Sequence, residues 1–170
     1  ISPFVISCNL IHILGKSSSS FFEAGSVALS GGRFIISLDF ELHWGVFDTY
    51  DDSYNENILG ARLAILQILE LFQRYEIEAT WAIVGLLLNE NKNDYLNYKP
   101  DLLPTYENER LSAYNVLVGE SESDDPFHYG MSLAKTIVSY SGQEIGSHSY
   151  SHYYCKEEGQ TREQFSRDLY

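Results

Sequence analysis

A chain of 170 residues, 44% of them hydrophobic, has enough apolar mass for one compact domain and too little length for two. Its 11 Lys and Arg stand against 24 Asp and Glu, a net charge of -13 that repels phosphate backbones and sets nucleic-acid binding aside. No run approaches the ~20 uninterrupted apolar residues of a membrane span, and Cys8 and Cys155, lacking a CxxC spacing, make no disulfide framework.

The chain begins with Ile1 rather than Met, so further sequence is expected upstream. Phe4 to Leu14 is apolar but lacks the basic residues that open a signal peptide. That stretch, the Ser17 to Ser20 run and Gly31-Gly32 predict a poorly ordered extension over residues 1–32. The expected location is the cytoplasm, with export the alternative while the true start is out of view.

Residues 33–170 are expected to form the domain. Phe34 to Leu38 is a short, nearly continuous apolar run, as in a strand buried on both faces, and it runs into Asp39, Glu41 and His43. Ile58 to Tyr75 has helical periodicity. Leu59, Leu63, Leu66 and Leu69, widened by Ile65 and Phe72, form the predicted buried face, with Arg62, Gln67, Glu70 and Arg74 largely opposite. A second buried strand follows at Ala79 to Val84, which completes a βαβ unit of a parallel sheet.

Residues 89–128 are rich in Asn, Tyr, Asp and Glu and carry Pro100, Pro104 and Pro126. A polar insert this long is either functional or loosely ordered. A helix is then predicted over Met131 to Tyr140, a strand over Glu144 to Ser147 and another helix from Thr161 to Tyr170. The class is α/β, with too few βα repeats to close a barrel.

Two groups of residues point to chemistry. His148 and His152 are spaced i, i+4, so on a helical turn both rings reach one ion, and they follow a strand at the end where α/β folds place their sites. Imidazole suits zinc, cobalt, nickel or iron, so the spacing leaves the divalent metal open, with Zn2+ the first expectation. Gly146 would let the backbone run close to its neighbours there. Asp39 and Glu41, two apart on a strand, would share a face, and paired acids at the end of an apolar run call for a cation or protons. One can hold the metal while the other takes a proton from water. A His, His, carboxylate set leaves positions open, as a reactive site does.

His43 is a reserve ligand or substrate contact, although a solvated loop position is the plainer expectation. Trp44, Trp81 and the Tyr-rich insert could offer surfaces to a sugar ring, with Trp81 expected in the core. Cys155 is expected to be an ordinary buried thiol.

These segments resemble the polysaccharide deacetylase family, the NodB-homology domain. Ile36 to Glu41 is similar to its first motif, which supplies a catalytic aspartate and an acidic ligand. Glu78 to Gly85 is similar to its second barrel strand. Glu144 to His152 is similar to the motif that carries both histidine ligands. The resemblance implies an incomplete, distorted (β/α) barrel, with Asp39 as base and Glu41, His148 and His152 as metal ligands; the roles of the two acids could be exchanged. It implies metal-dependent removal of N-acetyl groups from a carbohydrate substrate.

The sequence departs from the family pattern twice. Phe40 separates acids that are commonly adjacent, and the later motifs, with an arginine that orients the base and a histidine acid, are absent; His128 precedes the position where the acid should follow. The 170-residue chain alone is therefore expected to be weakly active or inactive. Hydrolysis of another non-peptide C–N bond, or metal or sugar binding without catalysis, are the alternatives.

Overall fold

The computed structural model describes residues 6–7 and 34–169. In chain order the regular elements are β1 (Ile6–Ser7), β2 (Ser37–Phe40), α1 (Asn55–Arg74), β3 (Ala79–Ile83), α2 (Lys92–Asn97), α3 (Met131–Ser139), β4 (Gln143–Ser147) and α4 (Arg162–Asp168). The strands form one sheet in the order β1-β2-β3-β4. β1 is antiparallel to β2, whereas β2, β3 and β4 are parallel. This is the α/β architecture expected, a parallel sheet not closed into a barrel and consistent with an incomplete (β/α) barrel. Apart from Ile6 and Ser7, the extension expected over residues 1–32 lies outside the described residues.

Strand alternation sorts the side chains between two faces. Leu38, Phe40, Trp81 and Ile83 are buried against Ile65 and Leu69 of α1 and Leu133, Ala134 and Ile137 of α3. Each such aliphatic side chain contributes about 1.5–3 kcal/mol by leaving water. The Trp81 indole N–H donates to Gln143 Oε1 at 3.0 Å, so this tryptophan is core, as expected, with its polar edge satisfied. On the other face, Asp39 pairs in register with Ala82, and Ala82 with Gly146.

The first strand starts later than its apolar run. Phe34 and Ile35 are exposed, and β2 begins only at Ser37. A larger correction concerns α1. Its buried positions are Ile58, Ile65 and Leu69, while Leu59, Leu63 and Leu66 are exposed. Arg62, expected on the solvent face, instead lies on the packed side. Its guanidinium donates to Pro126 O (3.1 Å) and Tyr129 O (2.9 Å) and pairs with Glu122 at 2.5 Å. The helix ends in a left-handed cap: Glu76 has φ 54°, and the Ile77 N–H reaches back to Phe72 O at 2.9 Å.

The polar insert is folded. Asn91 caps α2 through the Asp94 N–H at 3.1 Å, and Tyr95, Tyr106, Tyr114, Asp125 and His128 are all buried. Its aromatic residues bury enough area to order a segment whose composition reads as a loop. α4 opens with a capping box in which Thr161 and Gln164 exchange side-chain and backbone hydrogen bonds. Among the described residues, no helix is long and apolar enough to cross a membrane.

Candidate metal centre

β2, β3 and β4 deliver their carboxyl ends to one edge of the sheet, and three candidate ligands converge there. One ligand atom from each of Glu41, His148 and His152 lies within 4.8 Å of the others. His152 Nε2 is 3.1 Å from Glu41 Oε2, and the two imidazole centroids are 5.2 Å apart.

Glu41 arrives by a turn rather than as a strand residue. β2 ends at Phe40, and Glu41 takes φ -129° and ψ -26° at the head of a 3-10 turn over Leu42–Gly45. Its side chain folds over Gly45, where an added Cβ would lie 2.6 Å from the Glu41 carboxyl carbon. Only glycine leaves that cradle open. Asp39 remains on the strand, so the two acids do not share one strand face as expected.

The histidines are not on a helical turn either. Residues 148–154 are irregular, with Ser149 at φ 59° and His152 at φ 56°, both left-handed. Main-chain bonds hold this loop against the end of β3. The His148 N–H donates to Ile83 O (2.8 Å), the Gly85 N–H to Ser149 O (2.9 Å) and the Leu86 N–H to Tyr150 O (2.8 Å). Gly85 permits the approach, since a Cβ there would lie 2.9 Å from Tyr150 Cα.

The donor set suits a divalent cation. Two neutral imidazoles and a carboxylate are borderline-to-hard ligands that bond zinc and its neighbours at about 2.0–2.2 Å. The His152 Nδ1 atom is buried and has no hydrogen-bond partner among the described residues, an arrangement that costs stability for an imidazole with no ion to bind. A candidate divalent-metal site made of Glu41, His148 and His152 is therefore present.

The polysaccharide deacetylase family model matches residues 45–170. The chain belongs to the polysaccharide deacetylase family. No curated protein and no solved structure matches it. The family match begins at Gly45, so it includes both histidines, while Asp39 and Glu41 precede it. Glu41 is tied to the histidines by the geometry alone.

Around these residues the fold revises several expectations from the sequence. Tyr154 packs edge-on against His152 with centroids 5.2 Å apart, and its hydroxyl donates to Asp48 Oδ2 at 3.0 Å. Burial, and then the Asp48 carboxylate, hold the Tyr154 phenol above its ordinary range. Trp44 is wholly buried, with its indole N–H on His128 O at 2.9 Å, and so presents no face to a sugar. Cys155 is exposed rather than buried, because it lies in a surface turn.

His43 is buried, not solvated. Its Nδ1 lies 2.9 Å from His128 Nε2, and His128 Nδ1 lies 2.7 Å from Asp125 Oδ2. Burial first, then the neighbouring His128, pull the His43 imidazole down to about 4. Burial pushes the Asp125 carboxyl up, but hydrogen bonds from His128 and the Gly119 and Phe127 N–H groups outweigh it and hold the carboxyl below its usual range. Sequence reasoning did not find this chain of groups, nor Gly45, Asp48 or Asp168. Nothing local marks them, because their partners are far off in the sequence.

Proposed function

We propose that the chain carries the metal site and base of a metal-dependent hydrolase that removes N-acetyl groups from a carbohydrate, with Glu41, His148 and His152 holding the metal and Asp39 acting as base, and that by itself it is weakly active or inactive because none of its residues is assigned as general acid. The observation that carries this reading is the convergence of Glu41 with the two histidines at the carboxyl edge of a parallel sheet, in a chain of this family. A bound divalent cation, Zn2+ before Co2+, Ni2+ or Fe2+, would supply Lewis acidity, lowering the pKa of water and polarising an acetamide carbonyl.

Asp39 takes the proton. It is the penultimate residue of β2, on the sheet face away from the helices, and so remains free of the ligand cluster. As water attacks the acetyl carbon, the Asp39 carboxylate accepts its proton, a role worth about 10²- to 10⁴-fold in rate. Ala82 and Gly146, its neighbours across the ladder, are small and leave floor space beside the carboxylate for an acyl group. A backbone N–H near the loop would share the developing oxyanion charge. The C–N bond then breaks as the proton that Asp39 took from water passes to the departing nitrogen, releasing acetate and the sugar amine.

The test combines metal analysis with acetate release from N-acetylated oligosaccharides. His148→Ala and His152→Ala should lose the metal. Asp39→Asn should keep it and lose turnover. Metal loss in Asp39→Asn would mean that the two acids have exchanged roles, and wild-type metal content in the histidine variants would overturn the site.

A further inference from the structure

The histidine loop contains two non-glycine residues in the left-handed region, Ser149 and His152, a conformation that L side chains rarely adopt. Something outside the loop must hold it there. Besides the β3 end, Tyr106 and Asp48 hold Tyr154 at the far end of the loop, and Asp168, the last residue of α4, meets its centre.

Asp168 is only 2% exposed, and all of its donors come from other segments. The N–H groups of Tyr150 and Ser151 both donate to Oδ2, at 3.0 and 3.2 Å. The Ser151 hydroxyl donates to Oδ1, and so does the Tyr114 hydroxyl of the insert, at 3.2 Å. Successive N–H groups aimed at one carboxylate oxygen form an anion nest, which fixes the backbone that forms it. The nest lies midway between His148 and His152. Whatever sets the conformation of Tyr150 and Ser151 therefore sets the spacing of the two imidazoles.

A plain structural role, an acid satisfying the end of α4, does not account for this pattern. All four bonds leave the helix, and three of them end on the two residues at the centre of the loop. The burial of an ion is costly unless its partners are specific, and four directed donors meet this one.

We infer that Asp168 is a positioning residue for the metal site, a buried carboxylate that locks the His148–His152 loop in its ligand-presenting conformation and links it to the insert through Tyr114. The inference rests on the reading of Glu41, His148 and His152 as metal ligands. Asp168→Asn keeps the volume but replaces one acceptor oxygen by an N–H₂ group facing donors, so part of the nest is lost.

The experiment uses Co2+ as probe on the purified protein, followed by its visible absorption, with amide hydrogen exchange on the metal-free protein as a second readout. Wild type should bind Co2+ with bands that vanish in His152→Ala. Asp168→Asn should bind about 10- to 100-fold more weakly, as loss of a ligand's support does, with altered bands and with exchange protection lost at the Tyr150 and Ser151 amides. Ser151→Ala, which removes one donor and leaves both backbone bonds, should weaken Co2+ binding about threefold. Should Asp168→Asn fail to fold, Ser151→Ala decides.

Wild-type affinity, bands and protection in the folded variants would overturn the positioning role while leaving the metal site standing. If the wild type shows no histidine-dependent Co2+ bands, the metal reading fails and the inference falls with it, even if the amides still lose protection.

Discussion

Replacing Gly45 by alanine places a methyl group where the Glu41 side chain now lies. The added carbon would sit 2.6 Å from the Glu41 carboxyl carbon and 3.0 Å from its Cβ. Carbon atoms settle at about 3.5–4.0 Å, so the carboxyl group must retreat by roughly 1 Å. Metal-ligand distances tolerate only about 0.2 Å, so a displacement of that size takes Glu41 out of the ligand set.

The clash falls on the free end of a flexible side chain, which can swing away, so the fold itself should survive. Metal affinity should drop at least 10- to 100-fold, about 1.4–2.8 kcal/mol. Calorimetric titration with Zn2+ on Gly45→Ala, with circular dichroism to confirm folding, measures this. Wild-type affinity in a folded Gly45→Ala protein would show that Glu41 is not held over Gly45 as a ligand.

A matched control comes from α1. A Cβ at Gly60 meets nothing within 4 Å, so Gly60→Ala should leave metal affinity unchanged and stabilise the chain by about 0.5–1 kcal/mol through helix propensity; a lower melting temperature would count against the helix as described. The His43 pair makes stability depend on pH. Its folded pKa of about 4 lies below the ordinary histidine value of about 6.5. Between those values the unfolded chain binds a proton that the folded chain refuses, so stability should rise from pH 4 to 6.5 and then level off. The contribution is at most about 3 kcal/mol, reduced by solvent screening at the rim of the ring. Urea unfolding of the metal-free protein across that range measures it, and an unchanged slope in His43→Gln would refute the assignment.

Much of the fold was legible because its signals are local. The two parallel strands β2 and β3 and the connecting helix follow from local apolar patterning, and the capping residues of α4 stand three apart. The packed face of α1 was not legible. Three leucines outvoted Arg62, whose acceptors at Pro126, Tyr129 and Glu122 lie at least 60 residues away. His43 reads as a solvated loop residue for the same reason, since His128 is 85 residues further on.

At the site, the candidate ligands were visible in residue type and spacing, but their conformation was not. A four-residue separation suggests a helical turn, and the alternative used here requires two left-handed residues that no propensity favours. The insert misleads by composition. Its tyrosines count as polar loop residues until Tyr106 and Tyr114 are seen to be buried, with Tyr106 accepting from the Tyr154 N–H at 3.0 Å.

The loop that carries the histidines offers mostly main-chain atoms to its anchors: the His148 N–H and the Ser149 and Tyr150 carbonyls to the end of β3, and the Tyr150 and Ser151 N–H groups to Asp168. Main-chain partners are indifferent to side-chain identity. Loop side chains that bond nothing can therefore change with little effect on where the imidazoles stand, whereas Ser149 and Ser151, whose hydroxyls bond the Tyr153 N–H and Asp168, cannot. Gly85 and Asp168, outside the loop, have as little freedom to change.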